Sequence, residues 1–93
     1  MSDCSVFDNY IIEIIKNNIS LFHLDLNSTF ISDNLIYNIN NNYNNYYIII
    51  KSLDIRNCQN INKSYLSIIK LILNCLSLEL VLYGNNYCYN RFD

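Results

Sequence analysis

IKSLDIRNCQNINKSYL, from Ile50 to Leu66, is the stretch whose reading decides the fold. Ile50, Leu53 and Ile55 stand in an LxxLxL spacing, and Cys58, Ile61 and Leu66 follow. The same order appears upstream in LFHLDLNSTFISDNL, at Leu21, Leu24, Leu26, Thr29, Ile31 and Leu35. Leu24 and Leu53 are 29 residues apart, a period at which internal repeats point to a solenoid.

Working outward, residues 5–19 (SVFDNYIIEIIKNNI) read as a first helix, with Ser5 and Asp8 spaced as a capping box. Its expected buried face is Phe7, Tyr10, Ile11, Ile14, Ile15 and Ile19. A strand over 21–26 follows, with Leu24 and Leu26 inward and His23, Asp25 and Asn27 outward, because strand side chains alternate faces. Ser32 or Asp33 is placed to cap a second helix through Leu35, Ile36 and Ile39, and the asparagine-rich stretch 38–46 reads as a loop. The second strand covers 50–55 and a third helix 63–75, with Leu66, Ile69, Leu73 and Leu76 expected inward. Leu78, Leu80 and Leu82 begin a third strand, which is expected to leave an unpaired edge near Leu80–Leu82, and 87–93 reads as a short tail. Strands alternating with helices at a fixed period imply parallel strands joined by right-handed crossovers.

Composition limits the functions available. Ninety-three residues make one small domain that buries only roughly 60–65% of its unfolded surface. The 52% hydrophobic content supports a core. With no proline and one glycine, turns fall to the asparagines, which tolerate left-handed backbone. Net charge is −2 and the six basic residues are scattered, so no nucleic-acid partner is expected. The N-terminus lacks the basic region of a secretory signal, and Lys70, Asn74 and Glu79 interrupt the apolar run 65–83. No membrane association is expected, and the protein reads as intracellular and cytoplasmic.

From Ile50 to Cys75 the chain resembles a leucine-rich repeat, most closely the cysteine-containing subtype of the F-box-associated substrate receptors of ubiquitin ligases. That family's pattern is LxxLxLxxCxxI followed by a helix and a terminal cysteine. Ile50, Leu53, Ile55, Cys58, Ile61, Leu66 and Cys75 occupy those positions. Leu21–Leu35 is similar to a variant with Thr29 in place of the cysteine and one fewer residue before Ile31. CLSLELVLYGNN, from Cys75 to Asn86, resembles the start of a third repeat, one residue short between Leu78 and Leu80. The resemblance implies an α/β fold, a short right-handed solenoid with parallel strands on its concave side and helices on its convex side. Its divisions are a helical cap (5–19), repeat 1 (21–49), repeat 2 (50–77) and a partial third repeat with a tail (78–93). It also implies a protein-interaction module that holds a protein partner on the concave strip. The F-box pattern itself, proline-led and leucine-rich, is not present in the first helix.

The residues expected on that strip are His23, Asp25 and Asn27, then Ser52, Asp54 and Arg56, then Glu79 and Tyr83, with Val81 beside them. Other chemistry is weakly signalled. Cys4, Cys58, Cys75 and Cys88 form no CxxC and match no common zinc spacing, so neither metal nor cofactor is expected. Cys58 and Cys75 fit core positions, where a thiol acts as a small buried hydrophobe. His23 beside Asp25 has the composition of an oriented general base, with Ser52 one strand over, but no motif supplies an oxyanion site, and no enzyme is expected. Two alternatives remain. One is a small enzyme or metal-binding protein using His23, Asp25 and the cysteines; the other is a structural piece that self-associates as a homo-oligomer through its terminal edge strand.

Overall fold

The computed structural model describes residues 4–18, 21–42 and 50–92. Helix α1 (Cys4–Lys16) leads to strand β1 (His23–Asp25), helix α2 (Asp33–Asn42), strand β2 (Ser52–Arg56) and helix α3 (Leu66–Asn74). Strands β3 (Leu80–Gly84) and β4 (Tyr87–Asn90) complete the chain. Among the described residues this is an α/β fold of three helices and one four-stranded mixed sheet, ordered β1-β2-β3-β4. β1, β2 and β3 run parallel, whereas β4 returns antiparallel to β3.

The sheet register carries the core. Leu24 pairs with Leu53 and Leu53 with Val81, so one inward row crosses all three parallel strands. Leu53 and Val81 are buried, Leu24 packs against them from the edge, and Ile55 beside them is 1% exposed. The third unit therefore keeps the LxxLxL spacing through Leu78, Val81 and Tyr83, with no residue missing. Leu80 and Leu82, expected inward, lie on the opposite face. The reason is the pleat: once Leu53 fixes Val81 inward, its neighbours must point the other way. Leu78 is buried as expected, because it precedes the strand and is free of its alternation.

Polar groups tie each unit to the next. Ser28 and Asn57, 29 positions apart, both adopt left-handed backbone (φ 62° and 59°) where the chain leaves β1 and β2. The following residues, Thr29 and Cys58, stack at the turn with Oγ1 and Sγ 3.8 Å apart. Thr29 donates to the Leu26 carbonyl at 2.8 Å, and the Cys58 thiol reaches the same carbonyl at 3.1 Å. Carboxylates repeat the theme. Asp8, 2% exposed, accepts from both the backbone N–H and the hydroxyl of Ser32. Asp33 accepts from Asn62 N–H at 2.8 Å and from Ser67 Oγ at 2.7 Å. Asp8 thus joins α1 to α2 across the chain. That is a different duty from the expected cap with Ser5, whose side chain lies outside the described residues.

Two helix faces differ from expectation. On α1, Ile11 and Ile15 are buried and Phe7 half-buried, but Tyr10 and Ile14 are exposed; Ile19 lies outside the described residues. On α3, Ser67, Ile68, Leu71 and Cys75 face the core, whereas Leu66, Ile69, Leu73 and Leu76 are exposed. Both sets on α3 have helical spacing, so periodicity could not choose between them. The contacts with α2 make the choice: Ser67 bonds Asp33 and Asn74 bonds Asn40 at 3.0 Å, which rotates Ile68 and Leu71 inward. α2 begins as expected, with Ser32 Oγ accepting from Asn34 N–H, and it continues through Asn42. Residues 38–42 of the expected loop are therefore helical, and its remainder, 43–46, lies outside the described residues.

The C-terminal end is closed by a hairpin and one arginine. β4 covers the edge of β3 expected to be bare, so 87–90 is a strand rather than a tail. Gly84 turns the chain with φ +63°, and an added Cβ there would stand 2.5 Å from the Tyr87 ring. Tyr65, Tyr83 and Tyr87 pack around it with ring centroids 5.1–6.0 Å apart. Arg91 then reaches back to the end of α3. Its Nε donates to Leu78 O at 2.7 Å, and its Nη2 donates to Ile72 O at 2.9 Å and Cys75 O at 3.2 Å. Carbonyls at a helix end lack intrahelical partners, so this one side chain satisfies what the helix cannot.

Two measurements check this packing. Leu71→Ala is expected to cost about 2–5 kcal/mol in urea unfolding, whereas Leu73→Ala stays within about 0.5 kcal/mol. Arg91→Ala is expected to lower stability by about 2–3 kcal/mol through its lost charge-assisted bonds, and Arg91→Lys recovers little, because an ammonium cannot span the three carbonyls.

Candidate functional site

The sheet face turned away from the helices collects the outward residues of all four strands. Its first row is His23, Ser52, Leu80 and Asn90, paired in register across the sheet. The second row is Asp25, Asp54, Leu82 and Cys88. Arg56 pairs with Gly84 in the third, beyond the end of β1.

Six of the expected strip residues therefore come together. His23 and Asp25 are exposed, and Asn27, Ser52, Asp54 and Arg56 are half-buried. Glu79 precedes β3 and sits at the lip of a shallow cavity of about 450 Å³, with His23, Ser52, Leu80 and Phe92 along its walls. Tyr83 does not join the strip. It pairs with Ile55 on the inward face and packs edge-on against Tyr65 at 5.1 Å. Val81, also expected outward, is fully buried. Leu80, Leu82, Cys88 and Asn90 take part instead. Holding the LxxLxL spacing through Val81 and Tyr83 would have found the two leucines; the hairpin that brings in Cys88 and Asn90 left no such signal.

The polar half of the strip is held in place by the chain itself. Asp25 Oδ1 accepts from Asn27 N–H at 3.0 Å, and Asp54 Oδ1 accepts from Arg56 N–H at 3.1 Å, the same local turn 29 positions later. Arg56 also forks onto Asp54, Nε to Oδ1 at 3.0 Å and Nη2 to Oδ2 at 2.8 Å. The side-chain bonds from Arg56 hold the Asp54 carboxyl below the ordinary carboxylate range, against the opposing effect of burial. The same bonds raise the Arg56 guanidinium, with smaller support from the Asp54 and Asp25 charges. The result is a fixed planar ion pair beside a second carboxylate, with a half-exposed leucine next in the row.

His23 Nδ1 and Ser52 Oγ lie 2.6 Å apart. This is the separation of a base and a nucleophile, but among the described residues no carboxylate bonds the imidazole. Asp25 is turned onto Asn27 instead. No three His, Cys, Asp or Glu side chains among the described residues group to hold a metal. Cys58 and Cys75 are buried free thiols, and Cys88 is an exposed one. A second cavity, of about 210 Å³, opens at the turn end over Cys58, Ile61 and Ile68, with Asn57, Lys63 and Asn85 at its rim. Among the described residues no helix is long and apolar enough to cross a membrane.

Searches against protein-family models, curated proteins and solved structures found no match for the chain.

The ion pair gives the site an acid dependence. Asp54 has a lower pKa folded than unfolded, so its contribution is complete above the unfolded value near 3.9 and is lost as pH falls through the folded one. Asp54→Asn is accordingly expected to lower the urea midpoint at pH 7, with the gap to wild type closing from about pH 4 downward.

Proposed function

We propose that this chain is a short leucine-rich-repeat solenoid acting as a protein-interaction module, with the outer sheet face as its binding strip. The observation that carries this reading is the cross-strand array itself. His23 with Ser52, and Asp25 with Asp54, stand side by side on rigid parallel strands, next to half-exposed Leu80 and Leu82. A fixed, mixed-charge rim beside apolar side chains is the composition of a specific protein contact: the charges orient the partner and the leucines supply burial. The LxxLxL spacing kept in three successive units, and the Thr29–Cys58 stack at the turns, support the leucine-rich-repeat assignment. Cys58 acts as a thiol donor to the Leu26 carbonyl, which suits a reducing, intracellular compartment.

Affinity capture from the native cell tests the strip. Asp54→Ala with Arg56→Ala should lose a partner that the wild-type chain retains, while Lys63→Ala, at the turn end, keeps it. An unchanged partner set in the double variant would move the site off the sheet. The His23–Ser52 contact favours one other reading, a hydrolase. Ser52-dependent labelling by a fluorophosphonate probe would establish that reading, and no labelling is expected.

A further inference from the structure

Six of the twelve large apolar side chains exposed among the described residues lie on the two outermost helices. On α3, Leu66, Ile69 and Leu73, with Leu76 just beyond its end, are 49–74% exposed. They lie away from Ser67 and Asn74, the residues through which α3 holds α2. On α1, Val6, Tyr10 and Ile14 recur every four residues beside the buried Ile11 and Ile15, and are 39–64% exposed. α2 packs between these helices, so both ends of the helix layer present apolar flanks. β4 covers the edge of β3, but among the described residues no element covers the α3 flank. Apolar flanks of this kind mark contact surfaces.

We propose that the chain stacks head to tail on a second copy of itself, the α3 flank of one copy receiving the α1 flank of the next. The two flanks match in length, Val6 to Ile14 and Leu66 to Leu73 each spanning about 11–12 Å of helix. They also match in charge: Glu13 borders the α1 flank one turn from Tyr10, and Lys70 borders the α3 flank one turn from Leu66 and Leu73, and both are exposed. Glu13 holds Lys16 at 3.4 Å and remains 64% exposed, so it stays open to a second cation. A self-paired α3 contact would instead bring one Lys70 towards the other. The α3 flank is also where a further helix of this layer would pack, as α3 packs on α2. Because the two surfaces differ, each added copy leaves one flank of each kind free, and growth continues past the dimer. The contact uses the helix layer and leaves the sheet face open to the partner proposed above.

Sedimentation velocity on the wild type and two single variants tests this. The wild type is expected to form species larger than a dimer as its concentration rises. Leu73→Glu on α3 and Tyr10→Asp on α1 should each weaken association by roughly tenfold or more and leave monomer. Both positions are exposed, and a cooperative urea transition in each variant would show that it remains folded. An equimolar mixture of the two variants should form a dimer and stop there, since one supplies an intact α1 flank and the other an intact α3 flank. A wild type that stays monomeric at its highest soluble concentration would overturn the proposal. So would a Tyr10→Asp chain that dimerises alone, or a mixture that stays monomeric.

Discussion

The parallel register that sets Leu24 beside Leu53 and Leu53 beside Val81 is the constraint on which the rest of the structure depends. Strand side chains alternate strictly, so this one row decides what faces the helices and what faces away. A slip of one residue in β3 would lift Val81 out of the core and drive Leu80 and Leu82 into space shaped for other side chains. Burying an aliphatic side chain of this size contributes about 1.5–3 kcal/mol, which is a large share of the stability of so short a chain. The carboxylates of Asp8 and Asp33 hold the same alignment from the helix side, each accepting two bonds from the unit that follows.

The register also shapes the candidate site. With Tyr83 drawn inward against Tyr65, the outer face gains Leu80 and Leu82, and the strip becomes polar at β1 and β2 and apolar at β3. The repeated turn that fixes Asp25 and Asp54 keeps their carboxylates oriented before any partner arrives, which lowers the entropic cost of binding. The hairpin and Arg91 have a complementary effect: they cover the β3 edge and the end of α3, while the flank bearing Leu66, Ile69 and Leu73 stays exposed.

Much of this was legible in the chain. The LxxLxL spacing located β1 and β2, and alternation placed His23, Asp25, Ser52 and Asp54 on one face. The third unit was harder, because LSLELVLY offers leucines at alternate positions that compete with the repeat spacing. α3 was ambiguous for a related reason: Leu66, Ile69 and Leu73 are as apolar and as regularly spaced as Ile68, Leu71 and Cys75, so the sequence held two candidate faces. Asp8 looked like a local cap because its partner, Ser32, is distant in sequence and no local pattern pairs them.

The sequence by itself determined the order of the first six elements, the parallel arrangement of the first three strands and the polar half of the outer face. Those follow from the period of apolar residues, and a period is a local property. Tertiary structure alone decided which face of α3 is buried, which residues of β3 point outward, and that Arg91 and β4 close the end. Each of those outcomes rests on a contact between residues remote in the chain: Ser67 on Asp33, Leu53 beside Val81, and a guanidinium reaching three carbonyls of α3 and the turn beyond it.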